Sequence, residues 1–371
     1  MTQRLPASLT SLDASLEALL HRLEPVAPVA VPLGEALGCV GADMPALKPH
    51  PSRDIAVSDG WALRSRDLVG ASSYSPLPLA TIPVWVEAGE ALPEGCDCVL
   101  EADAVDPAGP LVQALAEAIP GQGIRRAGGE ITGASAAVIC GRQIQPADML
   151  LARAAGLRGL NVRRPRLRLV NIPSNSGEAL TAQLIMECAS AAGADVLAAE
   201  APGRDAASIA STLDVSACDL LITVGGSGEG RTDATVAAIA TRGEVIAHGI
   251  ALQPGRSAAI GRIVGVPVVA LLGAPDQALA AWWTLALVAL DRLSGRSPRP
   301  PLTLPLLRKI SSSVGITELV LLQRIEAGWM PTSIGEMSFD AIVRADAWLA
   351  VPGASEGFAV ATPVGAYLLR Q

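Results

Sequence analysis

Aromatic side chains and lysine are both scarce in this 371-residue chain: Phe, Trp and Tyr together make up 3% of it, and Lys48 and Lys309 are the only lysines. The first scarcity means that any core has to be built from Ala, Val, Leu and Ile. The supply is ample, since 50% of the residues are hydrophobic and 17% charged, a balance that argues against intrinsic disorder. The second means that an anion site must use arginine, backbone N–H groups or helix N-termini. A basic tail is also missing and the net charge is −8. That argues against a nucleic acid held mainly by phosphate contacts, though not against a small anion held by local donors. No C-x-x-C pair occurs among Cys39, Cys96, Cys98, Cys140, Cys188 and Cys218, so a zinc ribbon is unsupported. Buried, reduced thiols of a cytoplasmic protein are expected instead. Apolar runs of membrane-spanning length are lacking: the most apolar stretch, Gln277–Leu290, reads as a buried helix carrying Trp282 and Trp283. Met1–Pro6 lacks the apolar segment of a secretory signal.

The patterns that are present divide the chain. Leu12, Leu16, Leu19, Leu20 and Leu23 recur at helical spacing, with Thr10 or Ser11 as cap and Pro25 as stop. A Pro-rich linker follows at Pro45–Pro51, and from Ile82 to Val138 short apolar runs are broken by Gly, Pro and Asp, which predicts a small β-rich domain. A helix at Asp148–Gly156 then returns the chain to the first block. From Arg166 onwards Val266–Leu272 is a continuous apolar run, and Leu167–Val170 and Leu220–Val224 are apolar but for Arg168 and Thr223, as strands largely buried on both faces require. Ala-rich helical stretches at Ala179–Ala192 and Ala206–Leu213 alternate with them. This predicts a central three-layer, doubly wound α/β domain with a parallel sheet. After the linker Arg296–Leu302, short strands such as Glu318–Leu322, Ala347–Ala350, Phe358–Ala361 and Ala366–Leu369 predict a small C-terminal β-barrel. The expected domains are 1–50 with 140–165, an inserted 51–139, then 166–298 and 299–371, a multi-domain α/β plus β chain.

Chemistry is best placed at Asp219–Asp233. There a strand, Leu220–Val224, runs into Gly225, Gly226, Ser227, Gly228 and Gly230, and a helix begins after Asp233. Such a turn at the carboxyl end of a parallel strand faces the usual ligand crevice, and its glycines let N–H groups approach a phosphate. A tight turn with no ligand would read the same way. Other turns gather around it in the sequence: Asp59-Gly-Trp-Ala62, Gly123–Ile131 with Arg125, Arg126 and Glu130, Pro254-Gly255-Arg256-Ser257, and Leu272-Gly273-Ala-Pro275. Each alone is compatible with a cap or a solvated surface.

Together, in order and spacing, they resemble the molybdopterin molybdenumtransferases. Glu35-Ala-Leu-Gly-Cys-Val40 resembles that family's E-A-L-G-x-V, and Asp59-Gly-Trp-Ala62 its D-G-Y-A. Leu92-Pro-Glu-Gly-Cys-Asp-Cys-Val99 resembles L-P-x-G-A-D-A-V, and Ile124–Ile131 is similar to I-R-x-x-G-x-D-I with Glu130 for Asp. Asp219–Asp233 resembles D-x-x-I-x-x-G-G-x-S-x-G-x-x-D, and Ser338–Val343 the C-terminal serine-led segment. The family inserts molybdenum from molybdate into adenylylated molybdopterin and releases AMP. The resemblance therefore implies Mg2+, molybdopterin and molybdate as ligands, and a cytoplasmic homodimer whose active site combines both subunits. A molybdopterin adenylyltransferase and client molybdoenzymes are implied partners, with no nucleic acid and no membrane. It implies Asp59, Arg125, Glu130, Asp219, Asp233 and Arg256 as catalytic residues, with Asp59, Glu130 and Asp233 holding the metal. Gly225, Gly226, Ser227, Gly228, Gly230, Gly255 and Gly273 would bind the cofactor.

The chain departs from the family's pattern at several anion-binding positions. Where T-G-D-E-L is usual it reads Ile172-Pro-Ser-Asn-Ser-Gly-Glu-Ala-Leu180, so that either Asn175 or Glu178 takes the glutamate's place. The K-P-G-K-P turn reads Gln253-Pro-Gly-Arg256-Ser, L-P-G-N-P reads Leu271-Leu-Gly-Ala-Pro275, and Ala88 precedes Gly89 where a threonine is usual. Arginine is not a simple substitute for lysine, and Gln253 carries no charge. Other readings stay beside the transferase: a non-catalytic molybdopterin-binding or delivery protein, a structural scaffold, and an ordinary nucleotide-binding α/β enzyme.

Overall fold

A computed structural model describes residues 3–6, 8–108, 110–136, 140–173 and 179–369. The chain forms two compact units, one of Met1–Asp43, Cys140–Ile144 and Asn161–Gln371, the other of Met44–Ile139 and Gln145–Leu160.

The larger unit is built on a six-stranded sheet. Its strands are β1 (Arg166–Asn171), β2 (Asp195–Glu200), β3 (Leu220–Val224), β4 (Glu244–His248), β5 (Ala259–Ile263) and β6 (Val266–Leu271). Its helices are α1 (Leu180–Ala191), α2 (Ala206–Thr212), α3 (Thr235–Arg242) and α4 (Pro275–Ala281). In space the strands run β2-β1-β3-β6-β5-β4. The ladders β1–β2, β1–β3 and β3–β6 are parallel. Alternation across the sheet sorts side chains between two cores: Leu220, Ile222 and Val224 of β3 lie on one face with Ile185 and Ala189 of α1, and Leu221 on the other with Ile209 of α2 and Ile239 of α3. The expected three layers are present. The sheet is mixed, however, rather than wholly parallel, because β5 pairs antiparallel with both β6 and β4. The cause is the two-residue turn Val264-Gly265, both with positive φ (49° and 85°), which folds β5 directly back onto β6 as primed hairpin turns do.

The order β2-β1-β3 places a topological switch between β1 and β3, since the chain leaves β1 in opposite directions to reach its two neighbours. Crevices at the carboxyl ends of such strands are where open α/β sheets hold ligands. The run after α4 continues through a wider turn at Trp282–Ala286 into Leu287–Leu293, confirming the expected buried helix. Trp283 stacks on Trp348 with ring centroids 5.8 Å apart.

The C-terminal strands β7 (Leu302–Pro305), β8 (Thr317–Ile325), β9 (Gly328–Ile334), β10 (Ala347–Val351) and β11 (Pro363–Leu368) belong to the same unit. They pair β8-β10-β11-β7, with β9 and the short strand Leu252–Gln253 also on β8. No ladder closing them into a barrel occurs among the described residues.

The smaller unit is rich in short strands. Gly60–Leu63 pairs on one side with Val84–Val86 and on the other with Cys98–Leu100, and Trp61 meets Trp85 edge-on at 5.1 Å. Ile55–Ala56 pairs with Ile124–Arg125. The helix Pro146–Ala154 clusters with this unit. Of the cysteines, Cys39, Cys98 and Cys218 are buried as expected but Cys140 is exposed. Burial first, with the charge of Asp97 added, pushes the Cys98 thiol up to about 12.

Candidate functional site

Strand β3 is buried along its whole length and delivers Gly225 and Gly226 to the carboxyl edge of the sheet with φ of 96° and 68°. Only glycine adopts such angles without strain. Space is as restrictive as angle. A Cβ at Gly226 would collide with Thr235 Oγ1, and one at Gly228 or Gly230 would lie 2.7 or 2.9 Å from the Asp233 carboxylate. The loop is thus wrapped around two polar side chains from its own distal end.

The polar backbone groups of this loop are treated unequally. Every carbonyl from Gly225 to Gly228 is occupied. Thr235 donates its hydroxyl to the Gly225 carbonyl at 2.9 Å and its amide to the Gly226 carbonyl at 3.0 Å. His248 Nε2 donates to the Ser227 carbonyl at 3.0 Å, which fixes the proton on that nitrogen. Gln3 donates its side-chain amide to the Gly228 carbonyl at 2.7 Å and reaches the Gly226 carbonyl at 3.4 Å. By contrast, the N–H groups of Gly226, Ser227, Gly228 and Glu229 have no partner among the described residues. A run of amides left unpaired beside engaged carbonyls is a donor array of the kind that binds anions.

Asp233 sits 16% exposed, with each carboxylate oxygen accepting one hydrogen bond. Its Oδ2 accepts the Gly230 amide at 3.0 Å, and its Oδ1 accepts Arg204 Nη2 at 3.0 Å. The same guanidinium donates to the Pro173 carbonyl at 2.7 Å and to Thr232 Oγ1 at 3.1 Å, so Arg204 ties together the segments that follow β1, β2 and β3. Sequence reasoning missed Arg204. A signal was there: it stands immediately before Asp205, which caps α2 by accepting the Ala207 and Ser208 amides, and that cap marks a carboxyl-edge loop. Gln3 carried no comparable signal, nor did His248.

Gly273 joins this group. Thr181 Oγ1 donates to its carbonyl at 2.5 Å, a Cβ on it would meet Gly225 Cα at 3.8 Å, and Ser227 Oγ donates to the nearby Leu271 carbonyl at 3.4 Å. Gly255, at φ 123° after the cis peptide Gln253–Pro254, shapes the turn that leaves Arg256 exposed. Gln253 Nε2 donates to the Gly335 carbonyl at 3.2 Å, so it braces the C-terminal sheet. Asn175 and Glu178 lie outside the described residues.

Asp219 does not join the site. It precedes β3, at the amino edge of the sheet, roughly 20 Å of extended chain from Gly225. There it accepts the Arg166 amide at 2.8 Å and, in two-pronged fashion, the Arg166 guanidinium at 2.9 and 3.2 Å. Burial pushes its carboxyl up, but these bonds and the Arg166 charge outweigh that and hold it below the usual carboxylate range. Asp219, expected among the catalytic residues, is thus engaged by Arg166 at the edge of the sheet opposite the glycine loop.

In the smaller unit, Asp59 Oδ1 accepts the Ala88 amide at 2.8 Å. Arg125 Nη1 lies 2.9 Å from Glu130 Oε1, and His50 Nε2 lies 3.8 Å from the other oxygen of Glu130. Lys48, His50, Arg53, Ile55, Gly89 and Gly156 help line a cleft of about 460 Å³. Magnesium requires several oxygen ligands in near-octahedral array. Among the described residues no three His, Cys, Asp or Glu side chains are grouped to hold a metal ion. Asp233 is committed to Arg204 and Glu130 to Arg125. Asp59 and Glu130 belong to the smaller unit and Asp233 to the larger, so each carboxylate is described within its own unit.

The fold and the loop define a class: an α/β protein with a glycine-rich turn at the carboxyl edge of its sheet, carried in a multi-domain chain. Comparison with known proteins specifies it. Residues 10–156 match the family described as "MoeA N-terminal region (domain I and II)" and residues 168–292 the one described as "Probable molybdopterin binding domain". The molybdopterin molybdenumtransferase 2 of Mycobacterium tuberculosis is 32% identical over 296 residues, covering 69% of this chain and 72% of that protein. A molybdopterin molybdenumtransferase of Synechococcus elongatus is 28% identical over 406 residues, covering 95% and 98%. In fold, the crystal structure of a molybdopterin biosynthesis MoeA protein from Pyrococcus horikosii superposes with a TM-score of 0.72 at 23% identity, covering 98% of this chain and all of that one. The chain belongs to the molybdopterin molybdenumtransferase family, an enzyme family of molybdenum cofactor biosynthesis. No helix among the described residues is long and apolar enough to cross a membrane.

Proposed function

We propose that this protein transfers molybdenum from molybdate to adenylylated molybdopterin with release of AMP. The observation that carries the reading is the β3–α3 loop, with its Gly225–Gly228 carbonyls engaged and the amides of Gly226–Glu229 unpaired among the described residues. These N–H groups take the phosphate of the pterin substrate, while Gly225 and Gly273 keep the two strand-end loops close enough for one ligand. Arg204 and Asp233 hold the loop's distal end. Cleaving the phosphoanhydride leaves charge on the departing adenylate and on the retained pterin phosphate. Preorganised N–H donors favour such a change because they need no reorientation as charge develops. Arg256, exposed on its Gly255 turn, supplies the cation that attracts molybdate. Asp59, Arg125 and Glu130 are assigned to the same reaction through the family resemblance, as are the homodimer, the cytoplasmic location and supply of the substrate by a molybdopterin adenylyltransferase. Asp59, Glu130 and Asp233 are assigned to the metal through the same resemblance, and no step is routed through magnesium.

The test is a turnover assay with adenylylated molybdopterin and molybdate, following AMP by chromatography. AMP release matched by molybdenum-loaded pterin is expected. Tight pterin binding without AMP would select a carrier protein. Binding of ATP without pterin would select an ordinary nucleotide-binding enzyme.

A further inference from the structure

Helix α3 starts without a cap of its own: the residue before it is Ala234, and no side chain of its neighbours bonds its first turn. The acceptor comes from the far end of the chain. Gln3 Oε1 accepts the Val236 amide at 3.2 Å, while Gln3 Nε2 donates to the Gly228 and Gly226 carbonyls. One side-chain amide thus caps the helix and turns two loop carbonyls toward itself. Its neighbourhood is tied down as well. The Leu5 amide donates to Glu229 Oε1 at 3.3 Å, and Thr10 exchanges backbone hydrogen bonds with Gly249 and Ala251, just after His248, which holds the Ser227 carbonyl. On the opposite side the loop is held by Arg204 through Asp233. The loop is therefore clasped from both sides, by a guanidinium on its distal carboxylate and by Gln3 on its central carbonyls.

We infer that Gln3 is a positioning residue for the reaction, one that helps fix the peptide planes carrying the Ser227 and Glu229 amides so that these N–H groups stay directed at the anionic substrate. This rests on the functional reading above. Each engaged carbonyl sets the direction of the N–H in its own peptide unit, because the peptide is planar. The Gly226 carbonyl shares a plane with the Ser227 amide, and the Gly228 carbonyl with the Glu229 amide. Released from Gln3, a glycine-rich backbone rotates freely enough to lose that alignment, and the loss falls on substrate binding rather than on bond breaking.

The variants are Gln3→Met, which removes both functions, and Gln3→Glu, which keeps the acceptor for Val236 but not the donor for the carbonyls. In the AMP-release assay we expect both to raise KM for adenylylated molybdopterin about tenfold with kcat unchanged within about twofold. In amide hydrogen exchange on the ligand-free protein, Gln3→Met loses protection at Val236 and Gln3→Glu retains it. Wild-type KM in both variants, or a fall in kcat with KM unchanged, would overturn the inference. If the wild-type protein itself releases no AMP, the functional reading falls instead. Exchange then decides the clasp by itself: wild-type protection at Val236 in Gln3→Met overturns it.

Discussion

Asp219 and Asp233 close the same sequence motif from its two ends, and in the sequence they are equivalent carboxylates flanking a glycine run. A buried strand of five residues separates them in space. Asp233 is drawn into the loop by the Gly230 amide and by Arg204, whereas Asp219 closes the amino edge with Arg166. This gives a prediction at the residue scale. The folded-state carboxyl of Asp219 is held below its ordinary value. Its contribution to stability is therefore fully present above the unfolded carboxylate value of about 3.9 and is lost as pH falls through the depressed folded value. Asp219→Asn keeps an acceptor for the Arg166 amide but removes the charge, so it should cost about 1 kcal/mol at pH 7. It should also flatten the decline in stability on acidification, with AMP release unchanged. Urea unfolding at several pH values checks the first two. A loss of turnover in a fully folded Asp219→Asn protein would return that aspartate to the reaction.

At the scale of elements, what was legible was whatever a continuous apolar run or a glycine cluster can announce. Strands β1, β3 and β6 follow from the sequence because they are largely buried, helices α1 and α2 because they are Ala-rich, and the β3–α3 loop because its glycines are conformationally restricted. The edge strands were less legible. Strand β2 has an exposed and half-exposed burial pattern, its apolar run is only the four residues Val196–Ala199, and β5 is separated from β6 only by a two-residue turn. Of the side chains that act from outside the motif, Gln3 and His248 were illegible because their contacts span about 20 to 230 positions, whereas Arg204 was marked only by the cap residue Asp205 beside it. The loop itself supplies the element-scale prediction. Gly226→Ala places a Cβ against Thr235 Oγ1 at a φ of 68°. That hydroxyl holds the Gly225 carbonyl, so the start of α3 and the amide array shift together. We expect a stability loss of about 1–2 kcal/mol and a loss of pterin affinity of tenfold or more. Gly265→Ala, also at positive φ but with open space around it, should show the stability loss alone. Equal affinity loss in both would mean that the effect is global.

For the whole molecule the governing fact is a net charge of −8 with only Lys48 and Lys309 as lysines, in a protein assigned an anionic pterin substrate and an oxyanion. A negative field works against the approach of both. On the proposed reading, binding comes from short-range donors, namely the N–H groups of Gly226–Glu229 for the pterin phosphate and the exposed Arg256, at its own turn, for molybdate. These two sources respond differently to salt. Attraction by exposed cations is screened over a Debye length of about 8 Å at physiological ionic strength, whereas hydrogen bonds from neutral amides at contact are not. The repulsion from the overall charge is screened too. Raising sodium chloride from about 50 to about 300 mM should therefore leave KM for adenylylated molybdopterin unchanged or lower it slightly. The KM for molybdate, which relies on Arg256, should rise by a few-fold, and that rise should vanish in Arg256→Gln. Steady-state kinetics over that salt range, with osmolality held constant, separates the two. A steep rise in the pterin KM would mean that cationic side chains, and not the backbone array, hold its phosphate.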